Sequence, residues 1–195
     1  PHLAADITPV TNKAFDDFIQ ATNYSPEVPY NFLRHWKDSK VPAGKENHPV
    51  VWVDISDARA YCQWAGKRLP TEEEWQFIAQ GYEGNVYPWG KEMNEQNCNA
   101  NGKDITEVSA FPNGKSPFGC LDMCGNTWEL TESEYTDDHN RFCMLKGGSY
   151  YKATGSIWYT QGGPQPSTNS IKMLLLYPGL DRSGTIGFRC VQDLE

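Results

Sequence analysis

The chain has 195 residues, enough for one sizeable core, and reads as a single domain over residues 1–195. Its net charge of -8 argues against non-specific binding to nucleic acid or acidic membrane surfaces, and its longest apolar run, Met173 to Tyr177, is far too short for membrane insertion. Seven Trp and ten Tyr beside 17 Gly and 13 Pro point to a loop-rich fold with little regular secondary structure.

The chain opens at Pro1 without a signal-peptide pattern, which reads as a piece processed or excised from a longer parent chain with neighbouring domains. Thr11 starts the first predicted helix, where Phe15, Phe18 and Ile19 form one apolar face up to about Thr22. Residues 25–49 are polar and contain four prolines, as an ordered surface loop would, and Pro49 to Val53 is a short strand candidate. Ser56 is expected to cap a second helix through Ala65, with Ala58, Tyr61, Cys62 and Ala65 as its apolar stripe and Gly66 as its left-handed stop. Thr71 and Glu74 form a capping box for a third helix, which buries Trp75, Ile78 and Ala79 and stops at Gly81. From Tyr82 to Pro117 the chain is short turns. Phe142 to Tyr151 reads as a strand in which Gly147 and Gly148 allow close backbone approach or a bulge, and Thr185 to Val191 as a terminal strand. The fold class is therefore α+β: two to three helices early, then loops and short antiparallel strands.

Two groups of residues carry candidate chemistry. The six cysteines, at 62, 98, 120, 124, 143 and 190, include no Cys-x-x-Cys pair, and with four scattered His they argue against a zinc site. Their even number leaves disulfides open, and with them an oxidising compartment. The second group is Ser116 to Thr131, where Asp122 and Glu129 bracket Gly125 and Asn126. Two carboxylates and nearby carbonyls suit a hard cation such as calcium. Spacing alone favours the plainer reading, a turn with solvated acids followed by a strand anchored by Trp128, because this is no EF-hand loop.

Six short motifs occur in order: Pro9-Val10-Thr11-Asn12, Ala65-Gly66-Lys67-Arg68-Leu69-Pro70-Thr71-Glu72, Tyr87-Pro88-Trp89-Gly90, Gly125-Asn126-Thr127-Trp128-Glu129, Gly147-Gly148-Ser149-Tyr150 and Gly187-Phe188-Arg189-Cys190. Together they resemble the formylglycine-generating enzyme family, the sulfatase-modifying-factor domain with a C-type-lectin-like fold, from about Thr8 to Asp193. The family's strands ahead of the Pro-Val-Thr-Asn element are expected to be missing here.

The resemblance implies a copper-dependent oxidase whose Cu(I) is held by two cysteines, five apart, just after Gly-Gly-Ser-Tyr; thiolates are the soft ligands that ion prefers. Lys152 and Ile157 stand at those positions, so neither copper nor the oxidase activity is expected. It also implies a disulfide between Cys62 and Cys190, contributing on the order of 4 kcal/mol by loop-closure entropy. It implies calcium held by the Asp122 side chain, the Gly125 and Thr127 carbonyls and the Glu129 side chain. A second calcium site would use Asn97 and the Cys98 carbonyl, with its remaining ligands in a loop shortened around Asn101 to Asp104. The counterpart of the substrate groove would be lined by Tyr150, Tyr151, Lys152, Trp158, Tyr159, Asp181 and Arg182, although for any single ring core packing is the plainer reading. Asp181 is the acid considered as a partner for Lys152.

The functional reading is a calcium-stabilised pseudoenzyme: a non-catalytic binding or accessory module for a peptide or carbohydrate ligand, extracytoplasmic (secreted or periplasmic). The alternatives are an enzyme of different, oxidoreductase-like chemistry around Lys152, or a structural spacer domain.

Overall fold

Each of the three helices begins where a side-chain oxygen meets the free N–H groups of its first turn. In this computed structural model, which describes residues 2–100, 102–153, 162–177 and 179–194, α1 spans Asn12–Thr22 and Thr11 Oγ1 accepts from Ala14 N at 3.2 Å. α2 spans Ile55–Trp64. Its cap is Asp54 rather than the expected Ser56: Asp54 Oδ1 accepts from Ser56 N and Asp57 N, and the Asp57 carboxylate returns to Asp54 N at 2.9 Å. The box closes two residues earlier because the Asp54 carboxylate meets both amides at once. α3 spans Glu72–Gln80 with the expected Thr71–Glu74 box.

The main sheet has the order β4-β3-β2-β5, where β2 is Trp128–Thr136, β3 Arg141–Lys146, β4 Ser170–Leu175 and β5 Ile186–Phe188. β3 pairs antiparallel with both β2 and β4, but β5 runs parallel to β2, with Trp128 opposite Ile186, so the sheet is mixed. A short strand, β1 (Leu3–Ala5), stands ahead of Pro9 and pairs antiparallel with β6 (Val191–Asp193). The predicted terminal strand is thus two strands serving two sheets. β3 ends at Lys146 because Gly147 and Gly148 take φ of 86° and 79°; a Cβ on Gly148 would lie 2.2 Å from Gly163 O. Pro49 to Val53 forms no ladder. Val50 N bonds Val10 O while Trp52 N bonds Ser183 O, so this buried apolar run is held by two different segments.

One core cluster lies between α1, α2 and the sheet, with Phe15 stacked on Tyr61 at 5.7 Å between ring centroids and edge-on to Phe188. Burying such a ring stabilises by about 1.5–3 kcal/mol. A smaller cluster gathers Trp75, Ile78, Cys120, Met123 and Val191. The turn that precedes β2 joins the two.

Candidate functional site

Glu129, fully buried near the start of β2, anchors the turn that leads into the strand. Its Oε1 accepts from Arg189 Nη2 at 2.7 Å, and its Oε2 from Arg189 Nε at 2.7 Å and Trp75 Nε1 at 2.6 Å. The rest of the guanidinium donates to the Asp6, Ile7 and Leu121 carbonyls, so all five N–H donors of this buried arginine are matched. Sequence reasoning missed this partner. The signal available was an arginine flanked by Phe188 and Cys190 in an apolar strand, since a charge placed there requires a counter-charge.

Asp122, with φ of 57°, is 7% exposed, and burial pushes its carboxyl up to about 6 against the opposing pull of Arg189. Ser109 N reaches its Oδ2 at 3.4 Å. A buried carboxylate held this far above its ordinary value fits an oxygen-seeking cation, which would relieve the cost of its charge. Glu129 fits less freely, because Oε2 already accepts two hydrogen bonds and only Oε1 keeps a lone pair. Thr127 Oγ1 is a further buried oxygen in the same turn, without a hydrogen-bond partner among the described residues. Among the described residues no three His, Cys, Asp or Glu side chains converge, so a cation here would draw on backbone carbonyls such as those of Gly125 and Thr127. At the second expected site, the Asn97 carbonyl packs on Gly114, where a Cβ would stand 1.9 Å away, and Asp104 of the shortened loop pairs with Lys45 at 3.4 Å.

The expected groove is divided. Two clefts of about 450 Å³ each share Trp52. The first is lined by Trp128, Tyr151 and Asp181, with an apolar wall that includes Leu145, Ile171 and Met173. Tyr150 faces the second, with Lys45, His48 and His35, whose imidazole burial lowers to about 4. Lys152 lines neither cleft: its ammonium meets Glu95 at 3.0 Å, both side chains being largely exposed. The acid considered for it, Asp181, instead accepts from Leu176 N at 3.1 Å. Arg182 adds to the wall of the first cleft, yet its guanidinium turns inward. It bonds Asp57 through Nε at 2.8 Å and the Val28 and Tyr30 carbonyls through Nη1. Asp54 Oδ2 lies 2.9 Å from Arg182 Nη2, off the N–H direction, and accepts no hydrogen bond. Ile157, Trp158 and Tyr159 lie outside the described residues.

All six cysteines are buried thiols. Cys62 Sγ and Cys190 Sγ stand 2.8 Å apart. Cys98 and Cys124 share a buried cluster, where their mutual interaction holds Cys98 below the ordinary thiol value and drives Cys124 well above it, and Cys124 Sγ donates to Gln165 O at 3.5 Å. Cys143 donates to Thr131 O at 3.4 Å and is pushed up to about 12 by burial.

The mixed sheet, three capped helices and a carboxylate turn locked by an arginine define an α+β domain of the formylglycine-generating type. Residues 1–194 match the family described as "Sulfatase-modifying factor enzyme 1-like domain", and the chain belongs to this family. The inactive C-alpha-formylglycine-generating enzyme 2 of Bos taurus is 34% identical over 243 aligned residues, which cover 96% of this chain and 76% of that protein. The formylglycine-generating enzyme of Mus musculus is 36% identical over 199, covering 86% of this chain and 48% of the enzyme. Among solved structures, PvdO from Pseudomonas aeruginosa superposes with a TM-score of 0.72 at 20% identity, over 98% of this chain and 80% of its own.

Proposed function

We propose that this chain is a non-catalytic binding module of its family whose ligand is a peptide segment held in the cleft beside β4. The observation that carries the reading is Lys152. Where the resemblance calls for the first copper thiolate stands an exposed ammonium paired with Glu95, and an ammonium cannot ligate a soft cation. The name of the Bos taurus relative, an inactive enzyme, agrees with it. The cleft supports a peptide over a sugar because its walls are largely aliphatic, with Trp128 and Tyr151 for stacking and Asp181 as a polar anchor. β4 is the edge strand of its sheet, which offers backbone groups to an added strand.

In this reading calcium is a structural ion held by Asp122, the Gly125 and Thr127 carbonyls and the remaining lone pair of Glu129, and Asn97 and the Cys98 carbonyl are the weaker second candidate. It would supply charge compensation for a buried carboxylate and no chemistry. The Cys62–Cys190 pair closes as a disulfide in an extracytoplasmic compartment.

A peptide-display screen followed by calorimetry tests the binding. Binding is expected, weakened about tenfold by Tyr151→Ala or Leu176→Asp, which alter exposed cleft residues. Selection of glycans in place of peptides, or oxidation of a cysteine-containing peptide by the copper-loaded chain, would overturn the reading. For calcium, one equivalent by elemental analysis and a melting temperature that falls in chelator are expected.

A further inference from the structure

Cys98 follows the 3₁₀ turn Glu95–Asn97, and Cys124 sits in the turn before β2; they are 3% and 2% exposed. The two loops are clamped face to face. Asn126 N donates to Asn99 O at 3.2 Å, Asn99 Nδ2 donates to Asn126 Oδ1 at 3.0 Å, and a Cβ on Gly125 would lie 2.5 Å from Asn99 O. No side chain can come between backbones this close. Inside the clamp the two thiols pack into one buried cluster with Ala100, covered by Tyr87 and Trp89, and Cys124 Sγ donates to Gln165 O at 3.5 Å. The other cysteines without a partner thiol lie elsewhere: Cys120 is in the Trp75 cluster, and Cys143 is on β3, bonded to Thr131 O.

We propose that Cys98 and Cys124 are a dithiol site that a small-molecule disulfide oxidises to an intramolecular disulfide. The Cys98 thiolate attacks one sulfur of the oxidant and expels the first thiolate, leaving a mixed disulfide on Cys98. Cys124 loses its proton and attacks Cys98 Sγ, expelling the second. Two protein thiols become one S–S bond, the oxidant is reduced to two thiols, and the two protons go to its leaving groups. The bond ties the loop carrying Glu95, the partner of Lys152, to the turn carrying Asp122.

The full chain is equilibrated in glutathione buffers from reducing to oxidising, alkylated and digested with trypsin, which cuts after Lys67 and Lys91 and separates Cys62 from Cys98, together with a protease that cuts before Asp122, which separates Cys120 from Cys124. At oxidising poise a Cys98 peptide cross-linked to the Cys124 peptide is expected, lost on reduction. Cys98→Ser should leave Cys124 open to alkylation and abolish a rise of a few degrees in melting temperature on oxidation, whereas Cys120→Ser should preserve both. Alkylation of Cys98 and Cys124 at oxidising poise, or Cys98 linked to any other cysteine, overturns the proposal.

Discussion

The turn entering β2 and the segment leaving β3 lie against each other, through Gly125 N to Gly147 O at 2.9 Å and Tyr150 N to Asn126 O at 3.0 Å. They carry charge in opposite ways. In the first, Glu129 and Arg189 are shut away from water with every guanidinium donor matched; in the second, Lys152 and Glu95 pair in solvent. A buried pair binds each residue to all the others, since removing one partner strands an uncompensated charge. An exposed pair is worth little, so its residues can change without cost to the fold. The contrast explains how one chain can keep its family's scaffold while the position expected to hold a copper thiolate carries an ammonium.

The comparison can be broken most sharply at Arg189. Arg189→Met should lower stability by about 3–5 kcal/mol in a denaturant melt, and adding Glu129→Leu should recover much of it, because the stranded charge then disappears. A single variant that melts like the parent would mean Glu129 finds water. Trp75→Phe removes one donor to the same carboxylate and should cost about 1.5–3 kcal/mol by the same measurement.

Lys146 sharpens the contrast from the cationic side. It is fully buried on β3, with Ser170 Oγ at 3.1 Å and the Trp75 ring at 5.6 Å, and burial lowers its pKa to about 8. The unfolded chain therefore holds that proton more tightly between pH 8 and roughly 10.4. Stability should rise with pH across that window, on the order of 1–2 kcal/mol from pH 8 to 10, and Lys146→Met should remove the slope. At the exposed extreme, Lys152→Ala should change stability by less than ~1 kcal/mol.

Local features were legible in the sequence where local chemistry decides them. Thr11 and the Thr71–Glu74 box start α1 and α3 as read, because a cap needs only neighbours within a turn. The cap of α2 was placed two residues late, since Asp54 and Ser56 both offer oxygens and only the backbone geometry chooses between them. Pro49 to Val53 has the composition of a strand, but its hydrogen bonds go to segments far apart in the chain. β4 escaped notice because Lys172 and its half-exposed neighbours carry the weak alternation of an edge strand. At the site, the importance of Asp122 and Glu129 could be read from their motif. Their electrostatics could not, because Arg189 and Trp75 reach Glu129 only through long-range packing. The facing of Cys98 and Cys124 belongs to the same class.

The 60 residues between Glu129 and Arg189 set an order of events during synthesis. When Glu129 leaves the ribosome, the strand that will neutralise it has yet to be made, and neither its counter-charge nor the parallel partner of β2 exists. The carboxylate must wait in water until Ile186 to Arg189 emerge, so the sheet closes late. A nascent chain stopped short of Arg189 would therefore present an open β2 edge and an unmatched acid, so the ion pair and the parallel strand close together, late in folding.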